Sequence, residues 1–284
     1  MKNIPVRNIT SAAVPTSGRF SIRRVQDILN GADLQHDLHR HNFYFVLALE
    51  KGGGKHEIDF TAHAVVDGSV FLLRPGQVHQ LQLTADATGY LMEFDNTFYH
   101  PKEQDAQRLR KANSNNFYLP EAPQFEQVLT VLSNIFEEYT QKQEGYQDII
   151  KAGLQILYIQ LVRQGPAYAP SVATSTIYVQ ERYEAFTELL ETHIASRKQV
   201  MQYADLMNLS SFQLNEITKT AVGKTASVLI DEYIILEAKR YLLATSNQVK
   251  DIADQLGYED VSYFIRFFKK HTGSSPDVFR KNFT

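Results

Sequence analysis

The sequence predicts an α+β chain of two domains. An N-terminal β-barrel of jelly-roll type followed by helices precedes an all-α C-terminal domain that contains two helix-turn-helix motifs. Three observations predict this class: short apolar or alternating segments fill residues 20–100, two helical stretches follow at 124–163, and two similar helix pairs lie beyond residue 200. A chain of 284 residues, 43% of them hydrophobic, is long enough for two globular domains.

Five segments of the first domain are apolar or alternate between apolar and polar residues, and Gly and Asp separate them. They are FYFVLALE (43–50), KHEIDF (55–60), SVFLLRP (69–75), HQLQLT (79–84) and GYLMEF (89–94). Many short antiparallel strands are typical of a barrel or jelly roll. A barrel of this size encloses one small ligand, which would enter at the mouth.

The two helical stretches that follow differ in their apolar surface. The first has a single stripe, which comprises Phe125, Val128, Leu129, Leu132, Phe136 and Tyr139. The second has two apolar faces, one with Ile150, Leu154, Leu157 and Leu161 and another with Ile149, Ile156 and Ile159. A second apolar face suggests a subunit partner, although one monomer could also cover both faces.

The segment QGPAYAPSVATST (164–176) concentrates Gly, Pro, Ser, Thr and Ala after the helical stretch, as an interdomain linker does. We therefore predict a first domain at 1–165, a linker at 166–180 and a second domain at 181–284. The first domain would comprise an arm at 1–20, a barrel at about 20–100 and helices at about 120–163.

The segment DIADQLGYEDVSYFIRFFKKHTGSSP (251–276) predicts a short helix, a turn and a longer helix. On a helical wheel the longer helix has one inward stripe, made of Val261, Phe264, Phe267, Phe268 and His271. Its opposite face carries Ser262, Arg266 and Lys269. Gly257 is suited to end the first helix and Asp260 to cap the second. The second helix of such a pair commonly enters the DNA major groove.

A second copy of this helix-turn-helix pattern occupies residues 203–226, YADLMNLSSFQLNEITKTAVGKTA. Phe212, Glu216 and Lys219 take the wheel positions that Ser262, Arg266 and Lys269 hold in the other copy. Phe212 therefore points away from its own core. It would either pack against a neighbouring helix or contact thymine methyl groups in the major groove.

The segment ASVLIDEYIILEAKRYLLAT (226–245) lies between the copies and contains no Gly or Pro, so it predicts one helix. Twenty helical residues span about 30 Å, close to the roughly 34 Å of one B-DNA turn. Such a helix could place the two recognition helices in successive major grooves on one DNA face.

At this level of detail, residues from about 180 to 284 resemble the DNA-binding domain of the AraC/XylS family of bacterial transcriptional regulators. The residues that match the family signature are Ile252, Ala253, Gly257, Tyr258, Tyr263, Phe264, Arg266, Phe268, Lys269, Gly273, Pro276, Phe279 and Arg280. The resemblance implies base contacts in both longer helices and phosphate contacts from Lys219, Lys269 and Lys270. The DNA-binding residues that we predict are Phe212, Gln213, Asn215, Glu216, Lys219, Ser262, Arg266, Lys269 and Lys270.

Charge supports this interpretation locally but not in total. From residue 176 onward there are 13 Lys and Arg against 14 Asp and Glu, and the whole chain has a net charge of −3. The cations nevertheless cluster at Arg266, Lys269, Lys270, Arg280 and Lys281. Glu216 departs from the family, which usually carries a basic or neutral polar residue there. A carboxylate repels phosphate but can accept a hydrogen bond from cytosine N4.

Two segments of the first domain, HDLHRHNFYFVLALEKGGG and DGSVFLLRPGQVH, resemble the two cupin motifs. They supply His39 and His41, and then Gly68 with Pro75, Gly76 and His79. An enzymatic cupin would add a carboxylate four residues after His41, where this chain has Phe45. We therefore expect no cofactor, although the three histidines could still approach one another and hold a metal ion. The effector-binding residues that we predict are His39, His41, Tyr44, Arg74 and His79.

AraC-type regulators commonly carry such a sensor in this position, so the two resemblances support each other. They imply that the arm folds over the mouth of the barrel and that the chain forms a homodimer through the helices. The chain contains no cysteine, no hydrophobic signal segment and no run of 18 apolar residues. We expect a cytoplasmic, soluble protein that binds promoter DNA and a small molecule, with RNA polymerase as a further candidate partner and no membrane.

The function that the sequence favours is a non-enzymatic, ligand-responsive transcriptional regulator. A metal-dependent cupin enzyme fused to a DNA-binding half is the alternative, and a third hypothesis makes the helical half a protein-interaction module. The identity of the effector does not follow from the sequence, nor does the choice between activation and repression.

Overall fold

The computed structural model describes residues 6–7, 18–164 and 174–282. These residues form two compact units, one up to residue 164 and the other from residue 174. Most of the predicted arm (1–20) and the first part of the predicted linker (166–180) lie outside the described residues. The later part of that predicted linker is helical, because helix α5 (Thr174–His193) begins within it. The polar residues from Thr174 onward therefore belong to α5 rather than to a linker that precedes it.

The first unit contains two five-stranded sheets. One sheet has the order β1 (Val6–Arg7), β3 (Leu34–His41), β8 (Val78–Leu83), β5 (Gly54–Ile58) and β6 (Thr61–Val65). The other has the order β10 (Phe117–Tyr118), β7 (Val70–Leu73), β4 (Tyr44–Lys51), β9 (Thr88–Phe94) and β2 (Phe20–Arg24). All pairs are antiparallel except β1 with β3. The predicted β-rich domain is confirmed, and its five predicted strands correspond to β4, β5, β7, β8 and β9.

The unit has two apolar clusters, and strand alternation assigns residues to one or the other. On β4, Phe45 and Leu47 belong to an interior cluster that also receives residues from both sheets and from helix α1 (Val25–Leu29). Val46 and Ala48, which alternate with them, belong to a second, helix-facing cluster. The second sheet is thus apolar on both faces. Along β4, successive apolar residues alternate between the two clusters.

Three helices contribute to the helix-facing cluster: α2 (Glu103–Asn113), α3 (Ala122–Gln141) and α4 (Tyr146–Arg163). On α3, Phe125, Val128 and Leu132 are buried, as the predicted stripe requires. On α4, the face that contains Ile150, Leu154, Leu157 and Leu161 is buried. Ile149 and Ile156 on its second apolar face are each 49% exposed.

The second unit is helical. Its seven helices are α5 (Thr174–His193), α6 (Val200–Leu206), α7 (Ser211–Val222), α8 (Ala226–Ala244), α9 (Val249–Gln255), α10 (Val261–Thr272) and α11 (Pro276–Asn282). Helices α6 and α7 form one pair, α9 and α10 form the other, and α8 connects them. No helix among the described residues is both long and apolar enough to cross a bilayer.

Local sequence signals explain where the longer helix of each pair begins and ends. The Ser210 hydroxyl accepts a hydrogen bond from the Gln213 N–H at the start of α7, and Asp260 caps α10 by accepting from the Ser262 N–H. The two helices end at Gly223 and Gly273, which have φ angles of 73° and 80°. A left-handed residue at this position favours glycine, so both copies stop at equivalent points.

Candidate nucleic-acid interface and histidine cluster

Helix α10 separates an apolar face from a polar one, as the wheel predicts. Phe264 and Phe268 are fully buried, and the ring of Phe268 packs edge-on against that of Phe279. Ser262, Arg266 and Lys269 are exposed on the other face. His271, at the end of the predicted stripe, has a partly buried side chain: it is 26% exposed and its ring lies 4.6 Å from that of Phe267. The burial of two large aromatics fixes the helix and leaves its polar face accessible.

Helix α7 repeats this arrangement with different side chains. Leu214, Ile217 and Thr218 are buried, whereas Glu216 and Lys219 are exposed and lie 3.6 Å apart between Oε1 and Nζ. Phe212 is 74% exposed, which is the largest value for a large hydrophobic residue among those described. The described part of the chain therefore does not cover this ring, and the predicted packing against a neighbouring helix is not observed.

Two residues predicted to contact DNA from α7 have local roles. The Gln213 side-chain oxygen accepts a hydrogen bond of 2.8 Å from the Ser210 N–H and completes the capping box. The Asn215 side-chain oxygen accepts one of 3.0 Å from the N–H of Ala226, the first residue of α8. In each residue one lone pair of the amide oxygen is thus used within the fold, and the NH₂ group stays able to donate to a base.

The cations have different local partners. Arg266 is 68% exposed in its side chain and lies 3.8 Å from Asp260, a distance that permits only a weak exposed ion pair. Arg280 belongs elsewhere: its Nε donates to the carbonyl oxygen of Leu242 and its second nitrogen, NH2, to that of Asn247. The expectation that Arg280 forms part of the exposed basic cluster is wrong, because its guanidinium binds carbonyl groups at and beyond the end of α8.

The turn between α9 and α10 packs closely on the loop that precedes α6. Gly257 has a φ of 72°, and a Cβ added to it would lie 1.6 Å from the carbonyl oxygen of Ala195. The Lys198 Nζ donates to the carbonyl oxygens of Gly257 and Ala195 and lies 4.9 Å from the ring centre of Tyr258. The second helix pair is thereby attached directly to the entry of the first.

Four histidines of the first unit meet on three neighbouring strands. His39 and His41 come from β3, His79 from β8 and His56 from β5. The register places His39 directly opposite His79. All four are buried, and three of the rings lie near interior phenylalanines: His41 near Phe43, His56 near Phe71 and His79 near Phe45. We call these four residues the histidine cluster.

Short nitrogen-to-nitrogen distances connect the histidine cluster. His41 Nε2 lies 2.6 Å from His79 Nε2, and His79 Nδ1 lies 2.8 Å from His56 Nε2. Burial is the main cause that lowers the pKa of His56 to about 3, with His63 and His39 nearby adding to it. Burial likewise holds the pKa of His79 well below its usual value. Both rings are therefore neutral at physiological pH, and each offers a lone pair.

Comparisons with known proteins agree with both units. A helix-turn-helix domain model matches residues 203–282, and the model of the AraC-like ligand binding domain matches residues 29–156. The chain belongs to the AraC family. It is 27% identical over 126 residues to the raffinose operon transcriptional regulatory protein RafR of Pediococcus pentosaceus, a match that covers 44% of each chain.

A longer match within the AraC family is to the HTH-type transcriptional activator RhaS of Escherichia coli O81 (strain ED1a). The two are 24% identical over 254 residues, which cover 86% of this chain and 87% of RhaS. Among solved structures, unsaturated fatty acid-bound ToxT from Vibrio cholerae strain SCE256 matches 95% of this chain and 97% of its own, with a TM-score of 0.45 and 15% identity. The matched region thus spans less than half of RafR but most of RhaS.

In this AraC-family protein, the predicted effector residues divide into three groups. His39, His41 and His79 come together in the barrel interior. Tyr44 does not join them, because it packs against the helix-facing cluster, where its ring stacks on Phe94 at 5.1 Å. The prediction for Tyr44 as an interior residue is wrong: Phe45 faces the interior, so its neighbour on the strand faces the other side. Arg74 follows the end of β7 and is half-buried.

His56 is the functional candidate that reasoning from the sequence missed. The cupin-like motifs do not include it, although the segment KHEIDF was correctly predicted as a strand. A signal was present, because Ile58 is an interior residue and His56 lies two positions before it on the same face. Once Ile58 is known to face the interior, alternation along β5 places this imidazole inside the barrel as well.

Proposed function

We propose that this AraC-family protein is a sequence-specific DNA-binding transcriptional regulator whose promoter binding is modulated by a small effector held inside the N-terminal barrel. The observation that carries the proposal is the repeated helix pair, in which α7 and α10 each bury an apolar face and expose a polar one. An anchored helix with an exposed polar face has the form that enters a major groove. We propose no catalytic activity, in keeping with its transcription-regulating relatives.

The contacts that we propose follow from exposure and chemistry. Arg266 is suited to a bidentate contact with guanine, and Phe212 to apolar contact with a thymine methyl group. Lys269 and Lys270 are exposed near the end of α10 and would contact phosphates. Glu216 lies close to Lys219 and partly neutralises it, so we expect α10 to contribute more to affinity than α7. The protein would act in the cytoplasm, where bacterial DNA is found.

Changing Arg266 to Ala is expected to weaken binding to the specific site by about 1–3 kcal/mol and to relax discrimination at one base pair. Its only ion pair among the described contacts is the loose one with Asp260, so the fold should not depend on it. Gel-shift titration on the promoter region of its own or a neighbouring gene tests this. Equal losses on specific and random DNA would show that Arg266 does not read a base.

Changing Lys269 to Ala is expected to weaken binding to every sequence and to reduce the slope of log K against log salt by about one. A phosphate contact carries no sequence information, so the ratio of specific to random affinity should stay constant. Fluorescence anisotropy at several salt concentrations measures both quantities. A slope equal to that of the wild type would remove Lys269 from the phosphate contacts.

We propose that the protein is a homodimer that associates through the exposed face of α4. Changing Ile156 to Glu in the full chain should give a monomer on sedimentation, because a carboxylate would replace an apolar side chain at the interface. Changing Leu119, another exposed apolar residue of the same unit, to Glu should leave the dimer intact. Truncation after residue 165 should likewise leave a folded dimer. A wild-type chain that sediments as a monomer would refute the proposed interface.

The effector would act by binding more tightly to one arrangement of the dimer than to another. Its influence on DNA affinity cannot exceed this difference in binding free energy. Two half-sites would then be engaged or released together. RNA polymerase remains a candidate partner of the DNA-bound form.

A further inference from the structure

The histidine cluster contains more buried polar groups than the packing of a barrel core requires. A buried polar ring costs free energy unless it is hydrogen-bonded, and aliphatic or aromatic residues could fill the same volume without that cost. Yet four imidazoles lie together among interior aromatic residues. One of their nitrogens, His56 Nδ1, is buried and has no hydrogen-bond partner among the described residues. The arrangement needs an explanation other than stability.

The hydrogen bonds of the cluster determine where the lone pairs point. His39 Nδ1 lies 2.7 Å from the carbonyl oxygen of Asp37. A carbonyl oxygen only accepts, so Nδ1 carries the hydrogen and the neutral ring has its lone pair on Nε2. A backbone carbonyl that fixes the tautomer in this way is the usual outer partner of a metal-binding histidine. His79 has an equivalent outer partner in His56, whose Nε2 lies 2.8 Å from its Nδ1.

The inner nitrogens also fit a metal ion in distance. Ligand nitrogens of His39, His41 and His79 all lie within 4.8 Å of one another. A tetrahedral ion with metal–nitrogen bonds of about 2.0–2.1 Å holds its ligand nitrogens about 3.3 Å apart. The His41–His79 pair, at 2.6 Å, would have to open by about 0.7 Å, and the proton that the two Nε2 atoms share would leave or move to another nitrogen.

The chemical type of the ligand atoms determines which class of metal ion can bind. Imidazole suits zinc, copper, iron and nickel, whereas magnesium and calcium require oxygen ligands. The three inner ligands are all imidazoles, and Phe45, whose ring lies 5.3 Å from that of His79, stands among them as a residue that cannot coordinate. Three neutral ligands leave the charge of the ion uncompensated and its fourth position open for water or an anion.

We propose that His39, His41 and His79 bind one divalent first-row transition ion, that His56 orients His79 as an outer positioning residue, and that this ion is the effector. The last part rests on the proposed function, since it names the class of signal that the regulator senses. The first two parts concern the barrel alone. The ion would couple to DNA binding by changing the spacing between β3 and β8, because His41 and His79 must move apart to hold it.

The experiment uses purified full-length protein that has been stripped with a chelator and then titrated with Zn²⁺ or Co²⁺. We expect one ion per chain by calorimetry, and visible d–d absorption for Co²⁺ bound to nitrogen ligands. His79→Gln and His41→Gln should each abolish stoichiometric binding. His56→Phe should weaken metal binding by about 10–100-fold, because His79 would lose the hydrogen-bond partner that orients its ring. Circular dichroism checks that each variant folds, and His39→Gln replaces any variant that does not.

The matched control is His63→Gln. His63 is the cross-strand neighbour of His56 but does not belong to the group of three ligands, so its change should leave metal affinity unaltered. Failure of the wild type to bind either ion at micromolar concentration would overturn the site. Binding that survives His79→Gln would overturn it too.

A second measurement separates this inference from the proposed function. Anisotropy with promoter DNA is run with and without Zn²⁺, and we expect the DNA affinity to change by at least about fivefold, the lower end of typical coupling. The histidine variants should lose this response while still binding DNA. An ion that binds at the cluster without changing DNA affinity would refute its role as effector. An absence of specific DNA binding in both conditions would instead refute the proposed function and leave the metal titration valid.

Discussion

Changing Gly257 to Ala should unfold the helical unit or reduce its free energy of unfolding by more than 3 kcal/mol, about the upper end of single-residue effects. Two costs add at this position. The residue has a left-handed φ of 72°, and its new Cβ would lie 1.6 Å from the Ala195 carbonyl oxygen. Backbone must therefore move, and the Lys198 hydrogen bonds that connect the two helix pairs would be lost with it.

Gly223→Ala and Gly273→Ala provide the matched controls. Both glycines have nearly the same φ as Gly257, but a Cβ at either position meets no atom within 4 Å. The free energy of unfolding of these variants should fall only by the cost of placing alanine in a left-handed conformation, about 1–2 kcal/mol. Chemical denaturation of all three measures the difference. If the three variants lost equal stability, the close contact between Gly257 and Ala195 would have no energetic consequence.

Lowering the pH from about 6.5 towards 4.5 should destabilise the barrel by several kcal/mol, at about 1.4 kcal/mol per pH unit for each of His56 and His79. Their pKa values in the folded protein lie below the usual 6.5, at about 3 for His56. Above pH 6.5 these rings are neutral in both states and contribute no pH dependence. Below it, the unfolded chain binds protons that the folded chain does not, so the free energy of unfolding falls as the pH falls.

The measurement is urea denaturation across this pH range, with a chelator present so that no metal ion contributes. His56→Phe should remove about half of the slope, because one of the two rings whose pKa values lie far below 6.5 is then absent. His100→Phe, at an exposed position, should leave the slope as it is. A wild-type free energy of unfolding that is constant from pH 6.5 to 4.5 would show that the buried rings do not remain neutral.

The helical unit was largely predictable because its signals are local. The spacing of Phe264 and Phe268 sets the buried face of α10, and Asp260 and Gly273 mark its ends within the same segment. The same reasoning applied to α7 because the second copy repeats the pattern. The sequence did not show which polar side chains also form hydrogen bonds within the fold, as Gln213, Asn215 and Arg280 do.

The barrel was predictable as a class but not in its interior. Five strands follow from alternation, whereas β1, β2, β3, β6 and β10 were not predicted. Tyr44 was misplaced because alternation shows that two residues lie on opposite faces without showing which face is inside. His56 was missed because its neighbours in the cluster, at positions 39, 41 and 79, lie on other strands.

By itself the sequence determined the two domains, the repeated helix pair and the exposed polar faces of α7 and α10, because periodicity and capping act over a few neighbouring residues. Only the tertiary structure decided which imidazoles meet, which polar atoms are already occupied and where a turn can accept no side chain. Those facts depend on strand register and on contacts between distant segments, and such contacts leave no periodic trace along the chain.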